Sequence, residues 1–235
     1  MYQDLLVYCR DPARWPDVLA YARCLLTPGA GLIVRLHDDS SSDSEVCAAP
    51  LEGGVLLTEV ARGAPSLTEA LVQHSAWTDA VLIDGLDDLT VWRSVVCDSA
   101  RPCLVLPAHD RAEPPPPRHI GLGWNGSLQC RRALHAALPL LQDATRVVMF
   151  QAGGHAADAD AACAYLGRHG VGTLRIDSTA APADACAHLT ELSRRHELDL
   201  LVLGAFPHVR FSEWDGATTL ARLLRSADMP LLLAH

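Results

Sequence analysis

Apolar residues fall along this chain in two kinds of run. Short continuous ones, rich in Val, Leu and Ile, read as strands: DLLVYC (4–9), GLIVRLH (31–37), a segment near GVLLTEV, DAVLID (79–84) and CLVLPAH (103–109). Between them lie longer stretches whose apolar residues recur every three or four positions, PARWPDVLAYARCLL and SLTEALVQHSA, and these read as amphipathic helices. A polar loop, DDSSSDSE, follows the second strand. The strands do not alternate apolar with polar, which is the pattern of strands buried on both faces. Strands that take turns with helices predict βαβ units, right-handed crossovers and a parallel sheet covered on both sides, an α/β fold.

The order then repeats. After DRAEPPPPR come the strand HIGLGW (119–124), the helix SLQCRRALHAALPLL, the strand RVVMFQA and the helix AADADAACAYLGRHG. VGTLRID, the helix APADACAHLTELSRRHE, LDLLVLG (198–204), the helix TTLARLLRS and PLLLAH (230–235) complete it. DAVLID matches DLLVLG, and RPCLVLPAH matches MPLLLAH. The four prolines at 114–117 form a polyproline II spacer of roughly 12 Å, at ~3.1 Å per residue. The predicted organisation is a unit over 1–112, a linker over 113–117 and a second unit over 118–235.

Composition narrows the partners. Hydrophobic residues at 49% and charged residues at 20% belong to an ordinary globular chain of 235 residues. No apolar stretch approaches the ~18 residues of a membrane span, and the start MYQDLLVYCRDPARW lacks the pattern of a signal peptide. A cytoplasmic protein with no membrane partner is expected. The formal net charge of −9 speaks against nucleic acid as a partner, because binding its backbone needs a basic stripe. All 19 cationic residues are arginine, which excludes a P-loop lysine and lysine Schiff-base chemistry. The eight cysteines are scattered without a CxxC pair and are expected to be reduced, buried thiols. The 11 histidines show neither HxH nor HExxH spacing, so no metal site is assigned.

IGLGWNGSLQCRRALHAALPLL, followed by LDLLVLGAFPHVRFSEW and the terminal MPLLLAH, resembles the bacterial universal stress proteins of the tandem-domain type. The resemblance covers the second repeat throughout and the first more loosely. It implies two doubly wound domains, each a five-stranded parallel sheet in the order 3-2-1-4-5 with helices on both faces, and ligands at the carboxyl ends of the strands. It implies that the two halves pair with each other within the chain. A homodimer of tandem chains is a further expectation. Many members bind ATP, others do not, and no transfer chemistry is common to them, so no enzyme and no catalytic residue is expected.

The resemblance also designates a site. In ATP-binding members an Asp at the end of the first strand meets the nucleoside; here that place holds Asn125, within the segment Gly123, Trp124, Asn125, Gly126 and Ser127. An amide keeps hydrogen-bonding capacity without charge. Ser127 reads independently as a helix N-cap. The phosphate loop of binding members runs Gly, two residues, Gly, nine residues, then Gly and Ser or Thr. Gly204 supplies its first glycine, Pro207 stands at the second, and Ala217 with Thr218 at the third, with Gly216 one place early and Thr219 one beyond. Pro207 fixes φ near −65° and has no N–H for a phosphate oxygen. Arg210 can add positive charge, Glu213 and Asp215 oppose it, and Trp214 is assigned to packing under the loop. In the first repeat Asp84, or Gly85 after a one-residue slip, matches Gly204, and Arg10 and Asp11 stand where the strand-end Asp would be.

The first reading is therefore a universal-stress-type protein acting by ligand or partner binding, with ATP affinity weak or lost in the second unit and absent from the first. The alternatives are a working ATP-binding switch and, from another class, a hydrolase of the adenine-nucleotide hydrolase-like fold group. No His–carboxylate pair or pyrophosphatase-type glycine loop supports the last.

Overall fold

The computed structural model describes residues 1–29, 31–37, 49–51, 54–61, 66–85, 88–107, 116–152, 156–178, 185–205 and 219–235. The chain divides into two compact units, Met1–Pro116 and Pro117–His235.

The first unit runs β1 (Asp4–Cys9), a single 3₁₀ turn (Pro12–Arg14), α1 (Trp15–Leu25), β2 (Leu32–His37), β3 (Ala49–Pro50) and β4 (Leu56–Ala61). It ends with α2 (Leu67–Ser75), β5 (Ala80–Asp84), α3 (Leu89–Asp98) and β6 (Cys103–Val105). Its strands lie in the order β3-β4-β2-β1-β5-β6. The five from β4 to β6 are mutually parallel, and β3 joins β4 antiparallel. Hydrophobic periodicity does not announce β3, because a two-residue strand carries no period. Every residue of β5 and β6 is buried, as their unbroken apolar runs require. A capping box opens α2: Ser66 Oγ accepts the Glu69 N–H at 3.3 Å while the Glu69 carboxylate accepts the Ser66 N–H at 2.8 Å.

The second unit runs β7 (His119–Trp124), α4 (Leu128–Asp143), β8 (Arg146–Ala152), α5 (Ala156–Arg168) and β9 (Thr173–Ser178). α6 (Ala185–Arg195), β10 (Leu200–Gly204), α7 (Thr219–Ser226) and β11 (Leu231–Ala234) follow. The order is β9-β8-β7-β10-β11, all parallel. Each unit is thus a doubly wound α/β sheet with its five parallel strands in the order 3-2-1-4-5. Glycines in β7 make room for its neighbour: a Cβ on Gly121 would lie 2.4 Å from Leu198 Cδ1, and one on Gly123 2.4 Å from Leu203 Cδ2.

One device occurs in both units. Asp79, just before β5, accepts the N–H groups of Gln3 (2.8 Å) and Asp4 (3.1 Å) on one carboxylate oxygen and donates its own N–H to the Asp4 carbonyl at 2.8 Å. Asp199, just before β10, accepts those of Arg118 (3.1 Å) and His119 (2.8 Å) and donates to the His119 carbonyl at 2.8 Å. In each unit a carboxylate clamps the start of the central strand to the strand that follows the second-to-last crossover. These charge-assisted bonds satisfy backbone donors at the amino end of the sheet, where the ladder has not yet begun.

The seven described cysteines are free. The expectation of buried thiols needs correction, because only Cys103, Cys130 and Cys186 are buried while Cys9, Cys24, Cys97 and Cys163 are partly exposed. They flank strand ends and helix faces that a single sheet layer leaves half covered. Among the described residues no helix is long and apolar enough to cross a membrane, and no three His, Cys, Asp or Glu side chains cluster as a metal would need.

Candidate functional site

The carboxyl ends of β7 and β10 in the second unit bring most of the described candidate residues together. β7 delivers Gly123 and Trp124, and the chain turns through Asn125 and Gly126, whose φ of +73° suits glycine, into α4. Ser127 caps that helix by accepting the Cys130 N–H on Oγ at 3.2 Å. The Asn125 side chain folds into the same turn. Its Oδ1 accepts the Ser127 N–H at 3.1 Å and the Cys130 thiol at 3.0 Å. The thiol also lies 3.4 Å from the Gly123 carbonyl. A backbone N–H can only donate, so the oxygen of the carboxamide is turned inward and its NH₂ outward.

Trp124 is buried, and its indole Nε1 has no partner among the described residues. In register Trp124 lies beside Gln151, a buried amide at the end of β8 that sequence reasoning passed over. RVVMFQA reads as a strand without distinction, and only the pairing shows that its glutamine ends up beside Trp124 at the carboxyl edge.

Gly204 closes β10 directly beneath the first turn of α4. A Cβ there would meet the Cys130 nitrogen at 2.5 Å, the Gln129 carbonyl carbon at 2.7 Å and Gln129 Cβ at 2.9 Å. Close packing of strand end on helix start is therefore reason enough for glycine at this position. Thr219 is the first residue of α7. Pro207, Gly216, Ala217 and Thr218, together with Arg210, Glu213, Trp214 and Asp215, lie outside the described residues. Between 123 and 130 the one ionisable side chain is Cys130, so this turn offers hydrogen-bond donors but no cation to an anionic ligand.

The matching place in the first unit is built differently. Cys9, the last residue of β1, pairs in register with Asp84, the last of β5, so Asp84 itself and not Gly85 corresponds to Gly204. Asp84 is buried, with 1% of its side chain exposed, and its Oδ1 lies 2.9 Å from Arg14 Nη2, an ionic contact outside hydrogen-bond angles. Burial raises its carboxyl above the usual range, and Arg14 offsets part of that rise. The Cys9 thiol points at Asp84 Oδ2 (3.6 Å) and at the Asp11 carbonyl (3.1 Å), and burial beside the carboxylate pushes it up to about 12. Asp11 meanwhile caps the 3₁₀ turn by accepting the Ala13 N–H at 2.9 Å. Arg14 was not among the residues singled out from sequence, because its partner is seventy positions away and the pair exists only across the sheet.

Two doubly wound units in tandem, each with five parallel strands in the order 3-2-1-4-5, are the architecture of the tandem universal stress proteins. The chain has that fold along its whole length: it superposes on a universal stress protein from Archaeoglobus fulgidus with a TM-score of 0.73, covering 99% of this chain and 96% of that one at 13% identity. A functionally unknown protein from Pseudomonas aeruginosa matches with a TM-score of 0.62 at 12% identity, over 99% of this chain and 92% of its own. The cytoplasmic domain of a prokaryotic cation chloride cotransporter matches at 0.58 and 14%, over 99% and 95%. No family model and no curated relative matches the sequence.

Proposed function

We propose that this chain works as a universal-stress-type protein by binding a ligand or partner rather than by catalysis, with ATP affinity in the second unit weak or lost and none in the first. The observation that carries this reading is the Asn125 turn. The carboxamide oxygen is consumed by Ser127 and Cys130, so the Asn125 side chain has no acceptor left for a ribose hydroxyl, and the turn holds no cation for phosphate. Pro207 in the sequence removes a further donor from the loop after β10. In the first unit the Arg14–Asp84 pair fills the corresponding place with a carboxylate, which disfavours a phosphate there.

Calorimetric titration with Mg-ATP tests the proposal on the full chain, beside Asn125→Asp, Pro207→Gly and the double variant. An aspartate keeps both internal hydrogen bonds and turns an acceptor outward. The unmodified chain is expected to give no heat of binding at micromolar ATP, and the double variant to recover measurable affinity. Micromolar binding by the unmodified chain, or nucleotide that co-purifies with it, overturns the reading in favour of an ATP-binding switch.

A further inference from the structure

The two units end their sheets differently. In the first, the outermost described strand is β3, two residues long, antiparallel, and carrying Pro50, the devices that blunt a sheet edge. In the second, the outermost strand is β9, six residues long, without proline, and paired among the described strands only with β8. Its described side chains are all half-exposed or exposed, and Leu174 leaves 53% of its surface in water. Edges of this kind invite another strand.

The sequence of β9, Thr-Leu-Arg-Ile-Asp-Ser, is complementary to itself when reversed about Ile176. Antiparallel pairing on that axis sets Arg175 opposite Asp177 of the second strand and Asp177 opposite its Arg175, on one face. The other face sets Ile176 opposite Ile176, with Leu174 alongside. Directly opposed side chains in such a pair have Cβ atoms about 4.5–5.5 Å apart, within reach of an Arg–Asp contact. Neighbouring registers lose this match: a shift of one residue brings Leu174 against Asp177, and a shift of two brings Arg175 against Arg175. The charges that would normally guard an edge here select one register. Within one chain Arg175 already contacts Asp177 (2.9 Å) and Asp160 on α5.

We propose that β9 is the interface of a two-fold homodimer, in which two copies of this chain join their second-unit sheets antiparallel about Ile176. The interaction goes beyond any ligand-binding role and does not depend on one.

Sedimentation of the full chain from low micromolar to about 100 μM, a span that captures the weak end of specific association, reads the result directly. A dimer is expected. Asp177→Arg retains the Arg175–Asp160 contact but opposes arginines across the axis, and it is expected to raise the dimer dissociation constant at least about tenfold. Arg175→Asp is expected to do the same, and the double reversal R175D/D177R to restore dimerisation. Circular dichroism and thermal midpoints check that each variant folds. A monomer at all concentrations overturns the proposal. So does a double reversal no better than the single ones, or a dimer that survives undiminished in an Ile176→Pro variant that still folds, since a proline at its centre is not tolerated by a paired strand.

Discussion

Gly204→Ala separates two explanations of the same glycine. If the residue is there for the start of a phosphate loop, a methyl group has little effect on an unliganded protein. If it is there because α4 rests on the end of β10, the methyl group must displace backbone. The added Cβ would lie 2.5 Å from the Cys130 nitrogen and 2.7 Å from the Gln129 carbonyl carbon, neither of which can rotate away. Overpacking of this kind costs about 3 kcal/mol, at the upper end of its range because the obstacle is main chain. Gly204 does not sit at positive φ, so alanine gains about 0.7 kcal/mol by restricting the unfolded chain. The net loss is about 2 kcal/mol, or about 7 °C in the melting of a unit this size. Gly167→Ala in α5 is the control, because nothing lies within 4 Å of its added Cβ, and helix propensity alone should raise stability by about 0.5–1 kcal/mol. Urea unfolding followed by circular dichroism measures both, with hydrogen exchange assigning the loss to β10 and α4. A Gly204→Ala protein within about 0.5 kcal/mol of its parent would refute the packing argument.

Three other outcomes follow from the same geometry. Asp199→Ala removes the acceptor for two backbone N–H groups and should cost about 2 kcal/mol, and Asp79→Ala a similar amount in the first unit; losses under ~0.5 kcal/mol in urea titrations would show the clamps to be idle. Asp84 has a carboxyl raised by burial in the folded state, so its charge weakens the fold at pH values above that raised pKa. The penalty is relieved as the pH falls through the raised pKa toward the ordinary 3.8. The parent should therefore gain stability relative to Asp84→Asn on going from pH 7 to mildly acid buffer, and a relative loss would mean that Arg14 outweighs burial. Ser66→Ala breaks the capping box of α2 and should lower stability by about 1 kcal/mol, measured as a shift of the urea midpoint.

Most of the architecture was legible because its signals are local. β1, β7 and β8 coincide with DLLVYC, HIGLGW and RVVMFQA to the residue, and the continuous apolar runs identify a sheet buried on both faces. Ser127 was readable as a cap, since a serine before an amphipathic stretch needs no tertiary information. What stayed hidden is what two distant segments make jointly. β3 has no period to detect. Arg14 and Asp84, or Gly204 and the first turn of α4, acquire meaning only from strand register. The role of Asn125 was half legible: its position followed from resemblance, but which end of the amide faces outward depends on Ser127 and Cys130 and could not be read from the letters.

The contrast between Asp84 and Gly204 also bears on how far the two halves can be interchanged. Glycine at 84 would leave the half-buried Arg14 without its counter-ion, and aspartate at 204 would drive a side chain into the backbone of α4. Neither state is one tolerable substitution from the other. A swap in either half therefore needs a companion change around it, so the two strand ends are locked into different chemistry by their surroundings and not by one residue alone.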